Sequence, residues 1–151
     1  MAKPKTKQQL DRATDLRLQK TYGITLKEYN KLCGMNGGNC WICNKPAGTR
    51  RLSVDHDHSY SKVKLLATRT GGEWTASGRY NGVAYYCSDK SKTVAKQEVR
   101  NQMKRASVRG VACVWCNRGL RYYHDEPIFL RAAAEYLEGF VRGRTLRRLE
   151  G

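Results

Sequence analysis

Asn39-Cys40-Trp41-Ile42-Cys43-Asn44-Lys45-Pro46-Ala47-Gly48 is the stretch from which the fold is read. Asn, Pro and Gly close around two cysteines, so the segment reads as a tight turn holding two thiolates on one side. A second pair, Cys113-Val114-Trp115-Cys116, repeats the Cys-x-x-Cys spacing after 69 intervening residues. Cys40, Cys43, Cys113 and Cys116 together offer four soft ligands, the number a tetrahedral Zn²⁺ takes, each at about 2.3 Å from the metal. Four thiolates leave no open position, so this zinc is structural and any chemistry lies elsewhere. Four unrelated buried thiols or a redox pair are the alternatives, but nothing nearby has the βαβ pattern of a thioredoxin-like unit. The spacer exceeds that of a short zinc ribbon and must therefore fold and return.

The rest of the composition agrees with metal rather than disulfides. Met1-Ala2-Lys3-Pro4-Lys5 lacks the apolar segment of a secretory signal, and no apolar run approaches a membrane span. The expectation is a soluble cytoplasmic protein, where thiols stay reduced, with no membrane partner. At 151 residues and 40% hydrophobic content the chain suits one domain, 1–151, with a modest core. Lys and Arg total 29 against 13 Asp and Glu, a net charge of +16 that calls for a polyanionic partner, nucleic acid first. The excess is +5 in residues 1–32, +1 in 33–58, +8 in 59–112 and +2 in 113–151.

Working outward, Lys7 to Lys20 reads as a basic, partly amphipathic helix. Thr25 with Glu28 is a capping box, and Ile24 with Tyr29 a hydrophobic staple, for a second helix running to about Cys33. These helices make up 1–34. Arg51 to His58 alternates as a short strand, and Val108 to Val111 as another. A helix opens near Cys116 and Asn117, so 35–58 and 108–124 form the zinc-clasped core. Between them, 59–107 reads as a basic insertion: a β-hairpin with turns at Gly71-Gly72, Ser77-Gly78 and Asn81-Gly82, then a helix over Lys90 to Arg105 with Val94, Ala95, Val99 and Met103 as its apolar stripe. Residues 125–151 start a last helix at Asp125-Glu126-Pro127, carry the stripe Phe129, Ala132, Ala133, Tyr136 and Leu137, end it at Gly139 and finish in a basic tail. The fold class is α+β. Trp41, Trp115, Tyr122 and Tyr123 are expected to pack around the zinc knuckles. Cys33 and Cys87 read as buried or incidental thiols, and His124 as a surface residue.

Asp55-His56-Asp57-His58, at the end of the first strand, holds all but one of the chain's histidines. A regular strand would send the two aspartates to one face and the two histidines to the other, unless the backbone bends. Phosphodiester hydrolysis needs a base for water, a hard cation for the developing charge and a donor on the phosphate, and carboxylate, carboxamide and imidazole supply these. A surface turn rich in hydrogen-bonding groups, or a second transition-metal site, is the alternative for the tetrapeptide alone.

The chain resembles the recombination endonuclease VII family of HNH, or ββα-metal, nucleases. The resemblance rests on Tyr22-Gly23-Ile24-Thr25 with Glu28-Tyr29, Gly38-Asn39-Cys40-Trp41-Ile42-Cys43, Leu52 to His58, Val108 to Leu120, and Ala132 to Glu138, about two thirds of the chain in order. It implies a β-hairpin and helix clasped by zinc, Asp55 and Asn117 binding a catalytic Mg²⁺ or Mn²⁺, His56 as general base, and His58 contacting the phosphate. Hard oxygens from Asp55 and Asn117 suit such a cation. The chain departs from the family in the 49 residues that separate His58 from Val108, and in Leu120, which stands where the prototype has an acidic residue. Asp125 and Glu126 lie too far along to replace it.

The expected activity is a metal-dependent DNA endonuclease, on branched or junction DNA if the resemblance extends that far, acting in the bacterial host if phage-encoded. The competing reading is a zinc-stabilised DNA-binding module without catalysis, and an RNA-binding ribbon would want exposed aromatics on a sheet. DNA contacts are expected from Lys92, Lys96, Arg100 and Lys104 on the insertion helix, with Arg109 and Arg118 in the core. The N-terminal helices allow a homodimer, which no long heptad run demands.

Overall fold

The computed structural model describes residues 4–141, so the basic run Arg142 to Arg148 lies outside the described residues. Its elements are α1 (Lys7–Tyr22), α2 (Leu26–Gly34), β1 (Ser53–His56), a 3₁₀ turn (His58–Lys62), β2 (Leu66–Thr70), β3 (Glu73–Tyr80), β4 (Val83–Asp89), α3 (Lys92–Ala106), β5 (Val108–Ala112), α4 (Val114–Tyr122) and α5 (Pro127–Val141). The fold is α+β, with two small sheets among the described residues. The chain divides into two compact units, one up to Ala112 and one from Cys113.

Local signals set the first helices. Thr25 accepts from the Glu28 amide while Glu28 accepts from the Thr25 amide, so the capping box is formed. Its staple residues Ile24 and Tyr29 are both buried. Glu28 also pairs with Arg105 at the end of α3. α1 closes on Gly23 in the left-handed region at φ 72°. Leu18 is its buried anchor, whereas Leu10 and Leu16 face solvent. β1 then pairs antiparallel with β5 through Ser53–Ala112, Val54–Val111 and Asp55–Gly110, burying Val54, Val111 and Ala112.

The insertion holds one strand more than the expected hairpin. It is a three-stranded antiparallel sheet ordered β2-β3-β4, with α3 packed on one face. Gly71-Gly72 and Asn81-Gly82 make its turns, all four residues at positive φ. Ser77-Gly78 is not a turn but lies inside β3. Glycine is needed there for closeness rather than for φ: a Cβ on Gly78 would sit 2.6 Å from Leu65 Cδ2 and 2.7 Å from Met103 Cε. The core beneath is Ala76, Tyr80, Ala95, Val99 and Met103, with Val63, Leu65 and Ala67 at its edge. Val94, read as part of the stripe, points outward because α3 faces the sheet with the Ala95, Val99, Met103 line. Arg100 fastens the 3₁₀ turn to α3, donating to the carbonyls of Tyr60 (2.8 Å), Ser61 (3.1 Å) and Val63 (3.1 Å).

In the second unit Cys113 caps α4, its sulfur accepting from the Cys116 amide at 3.4 Å. α5 runs through Gly139 to Val141 rather than ending there. A single helical glycine costs only about 1 kcal/mol, too little to stop the helix by itself. Trp115 and Tyr122 are 75% and 81% exposed, so the expected aromatic packing at the zinc knuckles fails for both. Trp41 is 39% exposed, and its ring lies against the backbone of β5. A Cβ on Gly110 would meet Trp41 Cε3 at 2.6 Å.

That contact gives a test of packing. Gly110→Ala confronts a rigid indole and should lose about 1–3 kcal/mol of stability, with a shift in tryptophan emission. Gly78→Ala meets chiefly the flexible ends of Leu65 and Met103, with Val63 Cγ1 farther off at 3.3 Å, and should cost less. Equal losses in urea unfolding would refute this account of the two glycines.

Candidate functional site

The sulfurs of Cys40, Cys43, Cys113 and Cys116 all lie within 4.8 Å of one another. A tetrahedral zinc with 2.3 Å bonds needs sulfurs roughly 3.8 Å apart, so this donor set fits the ion. The first pair sits in a turn closed by an Asn39–Pro46 bridge and by the Cys40 amide on the Lys45 carbonyl. Cys40 accepts from the Ile42 amide at 3.5 Å, the counterpart of the Cys113–Cys116 bond. The cluster can therefore bind zinc.

The second group lies at the end of β1. Asp55 pairs with Gly110 and His56 with Val108, so Arg109 is an extra residue that bulges out of β5 opposite them. Bulges re-aim side chains. Here Arg109 grips both oxygens of Asp55, Nε to Oδ2 at 2.8 Å and Nη2 to Oδ1 at 2.9 Å. The Asp55 side chain is only 14% exposed.

After His56 the strand bends into the 3₁₀ turn, and alternation is broken. Asp57 caps that turn, accepting from the Ser59 amide (2.8 Å), the Ser59 hydroxyl (2.6 Å) and the Tyr80 hydroxyl (2.9 Å). It supports the turn. Burial alone would raise the Asp57 carboxyl, but the Ser59 and Tyr80 bonds outweigh it and hold it below the usual range. Burial and Asp57 together push the Tyr80 phenol up to about 12. With the bend, His56 and His58 lie on one side, ring centres 4.2 Å apart. Tyr22 meets His56 edge-on at 5.2 Å, and Tyr60 lies 6.5 Å away. Burial first, then His58 and Arg109, lower the His56 imidazole below its ordinary value, against the pull of Asp55 and Asp57.

Asn117 stands on the first turn of α4, its amide on the Cys113 carbonyl. Arg118, one residue on, lies 5.8 Å over the Trp115 ring. Of the insertion cations, Arg100 is committed to the three carbonyls already described, and Lys104 donates to the Lys20 carbonyl at 3.1 Å. Lys92 lies 4.7 Å over Trp74, and Lys96 lines a groove with Lys64 and Lys92. The sequence reading did not find the Arg109–Asp55 pair or the tyrosines around His56. A bulge leaves no composition signal, and the tyrosines come from α1 and the 3₁₀ turn.

A model of the recombination endonuclease VII family matches residues 15–139. The Gene 59 proteins of Mycobacterium phage D29 and Mycobacterium phage L5 are 48% and 46% identical to the chain over 56 residues. Those residues are 36% of this chain and 34% of each relative, so the chain spans about a third of the length of the curated relatives it matches. No solved structure matches. Among the described residues, no helix is long and apolar enough to cross a membrane.

The thiol geometry sets an expected outcome. Elemental analysis should find one zinc per chain, and serine at Cys40, Cys43, Cys113 or Cys116 should give a destabilised, zinc-poor protein, since zinc binding of about 10–16 kcal/mol is coupled to folding. Cys33→Ser should leave zinc content unchanged. Equal damage from Cys33→Ser and Cys113→Ser would overturn the assignment.

Proposed function

The chain belongs to the recombination endonuclease VII family, and we propose from this premise that it is a metal-dependent DNA endonuclease hydrolysing phosphodiester bonds, with branched or junction DNA as substrate. The observation that carries the reading is His56: a half-buried imidazole held below its ordinary value, beside a carboxylate already neutralised by arginine. Such an imidazole is uncharged at neutral pH and can accept a proton. A module that only bound DNA would gain nothing from it. The order β1, β5, α4 supports an HNH, ββα-metal core into which residues 59–107 are inserted.

In this mechanism His56 takes the proton of the attacking water, and His58, exposed at its side, contacts the phosphate. Asp55 and Asn117 would hold the Mg²⁺ or Mn²⁺. Arg109 uses two of the roughly four lone-pair positions of the Asp55 carboxylate, which leaves acceptor capacity for a cation. When bound, that ion supplies charge stabilisation to the pentacoordinate phosphorus and the leaving oxygen. Arg109 is assigned to Asp55 rather than to DNA.

DNA backbone contacts fall to Lys92 and Lys96 of the insertion and to Arg118, while Arg100 and Lys104 hold the insertion in place. Symmetric resolution of a junction needs two active sites, which a homodimer provides. The place of action is the cytoplasm of the bacterial host.

His56→Ala should lose at least about 10²-fold in single-turnover cleavage and keep near wild-type DNA affinity, since a general base serves only the chemical step. Asp55→Ala should weaken the apparent affinity for Mg²⁺ instead. Wild-type rates in His56→Ala would remove it as the base, and an inactive wild type on plasmid and four-way junction with Mg²⁺ or Mn²⁺ would favour the binding module.

Lys92→Ala with Lys96→Ala should flatten the slope of log K against log salt by up to about 1.8, at about 0.9 per phosphate contact. Arg100→Ala should lower stability, because three carbonyls lose their donor. An unchanged slope in the lysine variant would place this groove away from DNA.

A further inference from the structure

α1 and the approach to β1 line a pocket of about 150 Å³ with Tyr22 in its wall. Its floor includes the buried Tyr29 and Leu52, with the Tyr29 hydroxyl donating to the Leu52 carbonyl at 2.9 Å. Two guanidiniums line it, Arg17 from α1 and Arg51 from the segment before β1, together with the Ser53 hydroxyl. None of the described residues lining it is acidic. The nearest recorded counter-charge is Asp11, 3.7 Å from Arg51 and outside the lining, in a pair whose side chains are both well exposed. Such a pair contributes little in water. Burial, then Cys33, drive the Tyr29 phenol far above its ordinary range, while Arg51 and Arg17 both act in the opposite sense.

Arg17, and Arg51 with its exposed pair to Asp11, put two guanidiniums on one small concavity, and guanidinium binds phosphate oxygens in bidentate fashion. The space, about five waters at roughly 30 Å³ each, accommodates a tetrahedral oxyanion. Tyr22 lines the pocket and also meets His56 edge-on at 5.2 Å, so pocket and imidazole share one wall. We propose that this pocket is a phosphate subsite, in which Arg17 and Arg51 receive a backbone phosphate flanking the phosphodiester presented to His56. The inference rests on the nuclease reading for its substrate and on the pocket alone for its anion. Arg17 and Arg51 are positioning residues: they seat the strand and do not touch the reacting atoms.

The zinc-loaded full chain, without Mg²⁺, is titrated with inorganic phosphate while the arginine Nε–H signals are followed by NMR. Saturable shifts of Arg17 and Arg51 are expected, with Arg12, on α1 outside the pocket, unmoved. Single-turnover cleavage with Mg²⁺ is then measured for Arg17→Gln with Arg51→Gln. The DNA concentration for half-maximal rate should rise about tenfold or more and the salt slope should fall by about 0.9 or more, with the rate at saturation nearly unchanged. Phosphate that leaves Arg17 and Arg51 unmoved, or shifts Arg12 equally, overturns the subsite. So does a double variant that cuts with wild-type concentration and salt dependence. A wild type that cuts no DNA while phosphate still saturates the pocket would sink the nuclease reading and leave the anion site standing.

Discussion

β1 and β5 are joined across 51 residues of chain, and Asp55, His56 and Arg109 all take their positions from that pairing. Closing a flexible loop of this length costs on the order of 3–4 kcal/mol beyond a constant term. The insertion offsets that cost by folding around its own core and delivering its ends side by side. The Asp57 amide bonds the Ser107 carbonyl at 2.9 Å, so the residues bounding the insertion are fastened to each other. Tyr80 reaches from β3 to Asp57, and Arg100 from α3 to the 3₁₀ turn. The histidine segment is thereby braced by the insertion that separates it from β5. A longer chain between the strands makes the site more determined, because the added residues supply the groups that hold the bend.

The parts legible in the sequence were those with a local cause. Thr25 and Glu28 announce a helix start because capping involves residues three apart, and Ile24 and Tyr29 are buried as a staple should be. Asn81-Gly82 announces a turn because both residues accept positive φ. The Cys-x-x-Cys pairs announce a metal because the convergence of each pair is local, and only their meeting is not. Ser77-Gly78 looked the same as the true turns, but its glycine answers to Leu65 and Met103, contacts that no spacing rule contains. The same holds for β3, where Glu73 and Trp74 begin a strand whose partners lie on both sides. Gly139 is passed through because one glycine does not outweigh a helix. At the site, the bulge at Arg109 depends on register across the whole insertion. A stripe of cations at helical spacing on α3 did not disclose that Arg100 and Lys104 spend their donors on backbone carbonyls.

The donor chemistry separates two tasks. Thiolates are soft, and four of them close a tetrahedron, which suits a structural Zn²⁺ and excludes substrate from it. Carboxylate and carboxamide are hard and suit a cation that keeps part of its water. Cys116 and Asn117 are consecutive residues on the first turn of α4, so under the proposed function a soft ligand set and a hard ligand would stand one residue apart in the chain. Ordering the helix start by thiolate capping orders the carboxamide as well. On that reading, metal selectivity would follow from atom type rather than from distance along the chain.

Arg109 changes what Asp55 implies. A carboxylate facing a polyanion weakens binding unless a cation stands with it, and that would argue for a catalytic metal if the carboxylate were alone. It is not alone: both of its oxygens are held by Arg109, so its charge is tolerable on a DNA-facing surface with or without a metal. Asp55 therefore does not separate a nuclease from a binding module, and the weight passes to His56. Arginine or lysine anchors phosphate best because its charge is permanent. His56 is placed where burial, His58 and Arg109 all work against its charge, which removes its value as an anchor and leaves it a vacant lone pair near neutral pH. Beside it, the ring of His58 is exposed and free to face a phosphate. Two imidazoles four ångströms apart are thus put in different environments by one bend, the more buried suited to accept a proton and the more exposed to meet the substrate.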